Sequence, residues 1–179
     1  MKKELRSVMI IMLSIGMILG LCSCRMKESY KEFNIKNITG SVNDNYFTSE
    51  AFSFARIQNV VIVPEVKAIN HEEYIIYISA YSKSGKETVR IKNVIFKEKE
   101  SVLLNNELGN KIEFKQNANS IYEGWIDGGT FTEKTLKVAD GKKYDIIIEV
   151  DVFDNGLNIS KNLTFEMDIK GYKSFVWPT

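Results

Sequence analysis

Apolar and polar residues alternate with a period of two from Asn59 onward, which is the spacing of β-strands. The segments "YDIIIEVDVF" (144–153) and "NLTFEMDIK" (162–170) each carry one apolar face and one mostly polar face. Between them, "DNGLN" contains an Asn-Gly pair, which favours the positive φ angles of a tight turn. The pattern therefore predicts an antiparallel hairpin. In "EYIIYISAYS" (73–82) both faces are largely apolar, which predicts a strand buried on both sides.

The remaining apolar runs are shorter and are separated by segments rich in Gly, Asn, Asp and Ser, which indicate turns. Those segments are "SKSGKE", "NNELGN", "DGG" and "DGKK". Pro64 predicts an edge strand or a strand switch, and a slip of the apolar phase between Ile91 and Val94 predicts a β-bulge. Only "TSEAFSFARI" (48–57) could hold a short helix. Seven to nine short strands of this kind predict an all-β fold, an antiparallel β-sandwich, with the immunoglobulin-like type as one candidate.

The N-terminus has a different pattern. "MKKELR" carries three cations and one anion, and it is followed by an uncharged apolar stretch that includes Val8 to Leu21. This order is typical of a bacterial export signal. The stretch from Val8 to Leu21 is 14 residues long, whereas a membrane-spanning helix needs about 20. We therefore interpret it as a signal peptide and not as a permanent span.

The end of this stretch, Leu21-Cys22-Ser23-Cys24, resembles the lipobox of bacterial lipoproteins. The resemblance implies that the Cys24 thiol carries a diacylglyceryl group and that cleavage makes Cys24 the first mature residue. Cys22 follows the bulky Leu21 where the family has a small residue, so Cys22 is expected to leave with the signal peptide. A Cys22–Cys24 disulfide would close a very small ring, against the geometry that disulfides need.

The resemblance, the polar composition of residues 25–45 and the strand pattern together predict the location and the domain boundaries. Residues 1–23 would be the signal peptide, 24–45 the lipid anchor and tether, and 46–179 a single sandwich domain. The folded domain would face the periplasm or the exterior from the cell membrane or the outer membrane. Arg25 is compatible with outer-membrane delivery in a Gram-negative host, and the host type stays open. Residues 25–31 are expected to be disordered, although the spacing of Phe33, Ile35, Ile38 and Val42 would allow part of the stretch after them to lie on the domain as an edge strand.

Charge and composition exclude several classes of function. The expected mature chain has 21 Lys and Arg against 22 Asp and Glu, a net charge of −1 with no basic patch, so nucleic acid is not an expected partner. His71 is the one histidine, and it lies in a predicted charged loop. The chain has no G-x-S-x-G motif, so a Ser-His-Asp triad is not expected. With one histidine and no free cysteine, an ordinary zinc site is excluded, and neither a cofactor nor a metal is expected.

Carboxylates could supply other chemistry. Asp145, Glu149 and Asp151 share one face of a predicted strand, where they could hold calcium or act as an acid and base pair. The opposite face of that strand is apolar, so an ordinary solvated sheet face explains this row better.

One aromatic residue is out of step with a simple core. In "SIYEGWIDGGTF" (120–131) a strand would place Trp125 on the same face as Glu123 and Asp127. A large aromatic between two acceptors can stack on a sugar ring or anchor a protein partner. In the competing interpretation Ile121 and Trp125 cap the end of the core while the carboxylates extend into water. The ligand-binding hypothesis requires that Trp125 is at least partly exposed.

Together these observations predict a lipid-anchored binding or accessory protein of the cell envelope without catalytic activity. Inhibitor or immunity factor, adhesion module and envelope-assembly component all stay open. Its partners would be the membrane, through the lipid anchor, and an envelope protein or glycan. The alternative is a carboxylate-dependent hydrolase that acts on envelope glycans.

Overall fold

The structure is a computed structural model that describes residues 25–36, 47, 50–70, 72–132 and 142–176, with side chains described for 31–36, 47, 50–70, 72–132 and 142–171. The chain divides into two compact units. One comprises residues 1–30 with 171–179, whose described parts are extended strand segments. The other, Lys31–Lys170, contains the core and the candidate site.

Ten β-strands and one short 3-10 helix are present in the described ranges. In chain order they are β1 (Arg25–Ile35), the 3-10 helix (Glu50–Ala55), β2 (Arg56–Ile57), β3 (Val60–Ala68), β4 (Glu73–Ser82), β5 (Thr88–Glu98), β6 (Ser101–Ile112), β7 (Lys115–Gln116), β8 (Tyr122–Thr132), β9 (Tyr144–Asp154) and β10 (Leu157–Val176). The prediction of an all-β sandwich is confirmed. The strand number exceeds the expected seven to nine because β2 and β7 are two-residue strands, and the immunoglobulin-like type stays a prediction.

The strands form two five-stranded sheets. The first, called here the β9 sheet, has the order β1-β10-β9-β5-β6, and the second, the β4 sheet, has the order β2-β3-β4-β8-β7. All the strand pairs with a described register are antiparallel. The chain passes from the β4 sheet to the β9 sheet between β4 and β5 and returns between β6 and β7.

The predicted hairpin is formed by β9 and β10. Asn155 and Gly156 connect the two strands with φ angles of 47° and 82°, the positive values that such a two-residue turn requires. Leu157 is paired with Asp154, which sets the register of the whole hairpin. With this register Ile148 and Leu163 lie opposite one another, and both are buried.

Two further predictions on strand irregularities are confirmed. The register of β5 shifts between Ile91 and Asn93 against both of its neighbours, so a β-bulge lies at Lys92. Pro64 lies in β3 beyond the short pairing with β2, which ends at Val61. At Pro64 the one described partner strand is β4, and no described strand pairs with the other side of β3 there. On that unpaired side, the missing N–H of proline therefore removes no hydrogen bond between strands.

The core lies between the sheets and is rich in stacked aromatic rings. Phe96 of the β9 sheet and Phe131 of the β4 sheet stack with centroids 4.9 Å apart and planes at 25°. Tyr144 also stacks on Phe96, at 5.3 Å, and Tyr74 stacks on Phe131 at 5.4 Å. Such ring pairs contribute about 0.5–1.5 kcal/mol each beyond their buried area. This aromatic column joins the two sheets.

The start of the domain differs from the expectation for a flexible tether. Residues 25–31 belong to β1, whose Phe33 packs edge-on against Tyr74 and Phe131 at 5.1 and 5.7 Å. The Lys31 N–H donates a hydrogen bond to the buried Tyr74 hydroxyl at 2.9 Å. Phe33 therefore completes the core, and the spacing of Phe33 and Ile35 correctly allowed an edge strand. Residues 37–46 lie outside the described residues.

β4 also differs from its prediction. Tyr74, Ile76, Ile78 and Ala80 are buried, but Ile75, Tyr77, Ser79 and Tyr81 on the opposite face are only partly covered. A central strand can be apolar on both faces without a second layer, because neighbouring side chains on the same face cover part of each residue. The predicted short helix is confirmed as the 3-10 helix Glu50–Ala55.

Candidate functional site

The candidate ligand residues lie on the outer face of the β4 sheet. In β8, Glu123, Trp125 and Asp127 alternate with inward-facing Gly124, as the strand period predicts. All three outward residues are exposed, and the Trp125 side chain is 65% exposed. The interpretation of Trp125 as a cap on the core is therefore wrong. Ligand contact by these residues stays a hypothesis.

Trp125 is held in place from one side. Its partner across the ladder on β4 is Ser79, a small residue that leaves room beside the indole. Diagonally, the Tyr77 ring contacts Trp125 at a centroid distance of 5.3 Å with perpendicular planes. The Lys67 ammonium lies 5.5 Å from the Tyr77 centroid and 3.1 Å from the Glu65 carboxylate. This row orients Trp125 without covering most of it.

An open groove of about 420 Å³ lies on the other side of Trp125. It is lined by Lys111, Glu113, Lys115, Glu123, Gly124 and Trp125. We call this set of residues the β8 groove. Its volume falls within the range of about 300–1,000 Å³ that is usual for small-ligand sites.

The groove exists because the chain crosses between the sheets at this point. After β6 the backbone of Glu113 passes directly over Gly124 on its way to β7, and the Ile112 side chain packs beside it. A Cβ atom on residue 124 would lie 2.3 Å from the Glu113 carbonyl oxygen, so only glycine permits this approach. The crossing brings three side chains from the β6–β7 region, Lys111, Glu113 and Lys115, beside Trp125.

The charges of the groove balance. Lys111 and Lys115 supply two cations, and Glu113 and Glu123 supply two carboxylates. Lys115 and Glu123 are direct ladder partners between β7 and β8, a favourable opposite-charge pair. Glu123 also accepts a hydrogen bond from the Asn117 amide at 3.2 Å. The groove thus offers both hydrogen-bond donors and acceptors with a formal charge near zero.

Asp127 has a different position from the other two predicted residues. Its Oδ1 accepts a hydrogen bond from the Gly129 N–H at 2.7 Å, within a bulge where β8 shifts register against β4. Gly129 has a φ of 123°, and the Gly128 carbonyl accepts a bond from Asn106 of β6 at 3.2 Å. Asp127 therefore stabilises the bulge and does not line the groove, whereas Glu123 and Trp125 do.

The pattern of the sequence does not indicate Tyr77, Lys111, Glu113 or Lys115 as neighbours of Trp125. Their neighbourhood with Trp125 depends on which strands pair and where the chain crosses, and those choices connect residues that are far apart in the chain. The one available signal was the alternating "KIEFKQ", whose charged positions 111, 113 and 115 share a face.

The carboxylate row on β9 is engaged in ion pairs. Lys92, at the β5 bulge, lies 3.1 Å from Asp151 and 3.5 Å from Glu149. Asp151 also accepts a hydrogen bond from Ser160 at 2.5 Å, and this bond, with the bond from Lys92, lowers the pKa of Asp151 despite burial. Among the described residues no three His, Cys, Asp or Glu side chains form a group that could hold a metal ion.

Other sequence-predicted residues lie outside the described ranges, namely Cys22, Cys24 and His71. Of the helices in the described ranges, none is long and apolar enough to cross a membrane. Comparison with known proteins finds no matching family model, no matching curated protein and no matching solved structure.

Proposed function

We propose that this chain is a lipid-anchored binding protein of the bacterial cell envelope that acts without catalysis and contacts its ligand through the β8 groove. The anchor part rests on the resemblance of Leu21-Cys22-Ser23-Cys24 to a lipobox. The binding part rests on the geometry around Trp125. Inhibition or immunity, adhesion and envelope assembly are all compatible with such a module.

The exposure of Trp125 is the observation that carries the proposal. An indole is among the largest apolar side chains, and leaving 65% of it in water forgoes a burial free energy of about 25 cal/mol per Å². Aromatic residues of this kind supply a large share of binding energy at interfaces. Because Tyr77 already orients Trp125, little side-chain entropy is lost when a ligand covers it.

A second candidate function is supported by one observation. Glu113 and Glu123 line the same groove. Most glycoside hydrolases use a pair of such carboxyl groups to cleave the glycosidic bond. The hydrolase alternative therefore places its acid and base in the β8 groove, where the substrate would also meet Trp125. The row Asp145, Glu149 and Asp151 is less suited, because Lys92 pairs with two of its members.

The test is binding of the detergent-solubilised full chain to a purified envelope preparation. We expect Trp125→Ala to weaken binding at least tenfold, about 1.4 kcal/mol, because the exposed anchor is removed without a change in the core. Val102→Ala is the matched control, since Val102 is 58% exposed on β6 and lies outside the groove. Equal binding by wild type and Trp125→Ala would contradict the proposal.

The same preparation distinguishes the two functions. Release of reducing ends that is lost in Glu113→Gln and Glu123→Gln would establish the hydrolase alternative. The binding proposal predicts that the chain binds the preparation without releasing reducing ends, and that this binding is weakened by Trp125→Ala.

A further inference from the structure

We infer that the ligand of the β8 groove is a neutral oligosaccharide chain that stacks a sugar ring on Trp125 and hydrogen-bonds to the charged groups beside it. The inference rests on the proposed function and narrows its ligand to one chemical class.

The surface at Trp125 combines a flat apolar ring with polar neighbours. The indole of Trp125 is largely free on the sheet surface, and Tyr77 meets it at 90° and so does not stack on it. A pyranose ring has an apolar face of C–H groups and a polar rim of hydroxyl groups. An exposed indole bordered by Glu123 on its own strand matches both parts of that ring.

The charged side chains of the β8 groove balance one another. A polyanion would need an excess of cations, but the two lysines of the β8 groove are matched by two glutamates. Hydroxyl groups both donate and accept, so they can satisfy the lysine donors and the carboxylate acceptors together. A neutral polyhydroxylated ligand fits this set without leaving either kind of charge uncompensated.

The shape of the β8 groove suits an extended chain. The groove is open and lies along the edge of β8 beside the crossing backbone of Glu113, so an extended chain could pass through it. A protein partner would require a wider contact area with further large anchor residues, since standard interfaces bury about 800 Å² on each side and concentrate their energy in several such residues. Among the described residues, the other large apolar side chains that are more than half exposed are Ile69, Val102 and Leu157, and none of them lines the groove.

The test uses the full chain in detergent with Trp177→Phe, so that Trp125 is the one remaining indole. The probes are neutral oligosaccharides, a β-1,4-linked N-acetylglucosamine tetramer and a glucose tetramer, and the readouts are Trp125 emission and its quenching by acrylamide. We expect at least one probe to shift the emission saturably and to protect Trp125 from acrylamide. Binding should change less than twofold between about 0.05 and 0.5 M salt, because no net charge is neutralised.

Variants are compared by calorimetry, which needs no indole signal. Trp125→Ala should weaken oligosaccharide binding at least tenfold, and Glu123→Gln and Lys115→Met about three- to tenfold each. Val102→Ala should bind like wild type. Binding that is selective for an anionic polysaccharide and falls steeply with salt would overturn the assignment of a neutral ligand.

Failure of this inference can be told apart from failure of the proposed function. If no neutral oligosaccharide binds, yet envelope binding still requires Trp125 and is destroyed by protease treatment of the envelope, the ligand is a protein and only the inference fails. If envelope binding does not depend on Trp125, both fail.

Discussion

At the level of a single residue, Glu87 is a buried carboxylate with no cation paired to it in the described part of the chain. It is 4% exposed in the connection between β4 and β5, and it accepts hydrogen bonds from the Ser82 and Ser84 hydroxyls. Ser82 in turn accepts the N–H groups of Ser84 and Gly85 at 3.1 and 2.8 Å. Burial raises the pKa of Glu87, but the bonds from Ser82, its own N–H and Ser84 outweigh this, and the pKa lies below its ordinary value of 4.5. These bonds fix the turn that carries the chain from the β4 sheet to the β9 sheet.

Replacement of Glu87 by Gln should therefore destabilise the fold in a pH-dependent way. A carboxyl whose pKa is lowered on folding contributes stability above its unfolded pKa and loses it as pH falls through the folded value. We expect Glu87→Gln to lower the free energy of unfolding by about 1–3 kcal/mol at pH 7, with the difference from wild type shrinking below about pH 4.5. Urea unfolding between pH 7 and 3 measures both.

The exposed Glu65, whose carboxylate lies 3.1 Å from the Lys67 ammonium, supplies the control. Glu65→Gln should change stability by less than about 1 kcal/mol, as surface ion pairs do. A Glu87→Gln effect that is the same at pH 7 and pH 3 would show that the carboxylate charge is not what stabilises the turn.

At the level of elements, glycine-containing segments became either turns or β-bulges. "DNGLN" forms the predicted turn between β9 and β10, but "NNELGN" and "DGG" lie inside β6 and β8, where register shifts replace the expected reversals. Gly109 and Gly129 have φ angles of 67° and 123° in these two strands. Positive φ is compatible with either outcome, and the presence of a continuing partner strand decides between them.

The β9–β10 turn allows a direct measurement of this backbone requirement. No heavy atom lies within 4 Å of a Cβ built on Gly156, so substitution there tests φ alone. Gly156→Ala should lower the free energy of unfolding by about 1–2 kcal/mol, because an L-residue is strained at a φ of 82°. Gly156→Asn is the matched control and should cost less, since Asn tolerates positive φ. Equal loss in the two variants, measured by urea unfolding, would contradict the backbone explanation.

At the level of the whole molecule, the proposal joins a sandwich domain to a lipid anchor. Two acyl chains can hold a protein stably at a membrane, at about 0.8 kcal/mol per buried methylene, so no spanning helix is needed. The candidate site lies on the outer face of the β4 sheet and depends on the register of β7 with β8 and on the crossing of Glu113 over Gly124.

The anchor is tested by substitution of each cysteine in turn. Cys24→Ala should abolish incorporation of radiolabelled palmitate and leave an unprocessed precursor, because the acylated thiol is lost. Cys22→Ala should change neither, and it serves as the control within the same signal region. Loss of label in Cys22→Ala would show that Cys22, and not Cys24, carries the lipid.

Local patterns in the sequence left the exposure of Trp125 open between two interpretations, but they were sufficient for the all-β class, the β9–β10 hairpin, the Lys92 bulge and the edge position of Pro64. Each of these depends on side-chain period or on backbone preference, which act between neighbours along the chain. The place of Phe33 in the aromatic core, the one-sided burial of β4, the role of Asp127 in a bulge and the groove partners Lys111, Glu113 and Lys115 were decided only in the tertiary structure. They depend on contacts between strands distant in the chain, and above all on the crossing of the Glu113 backbone over Gly124, which alternation along a single strand does not encode.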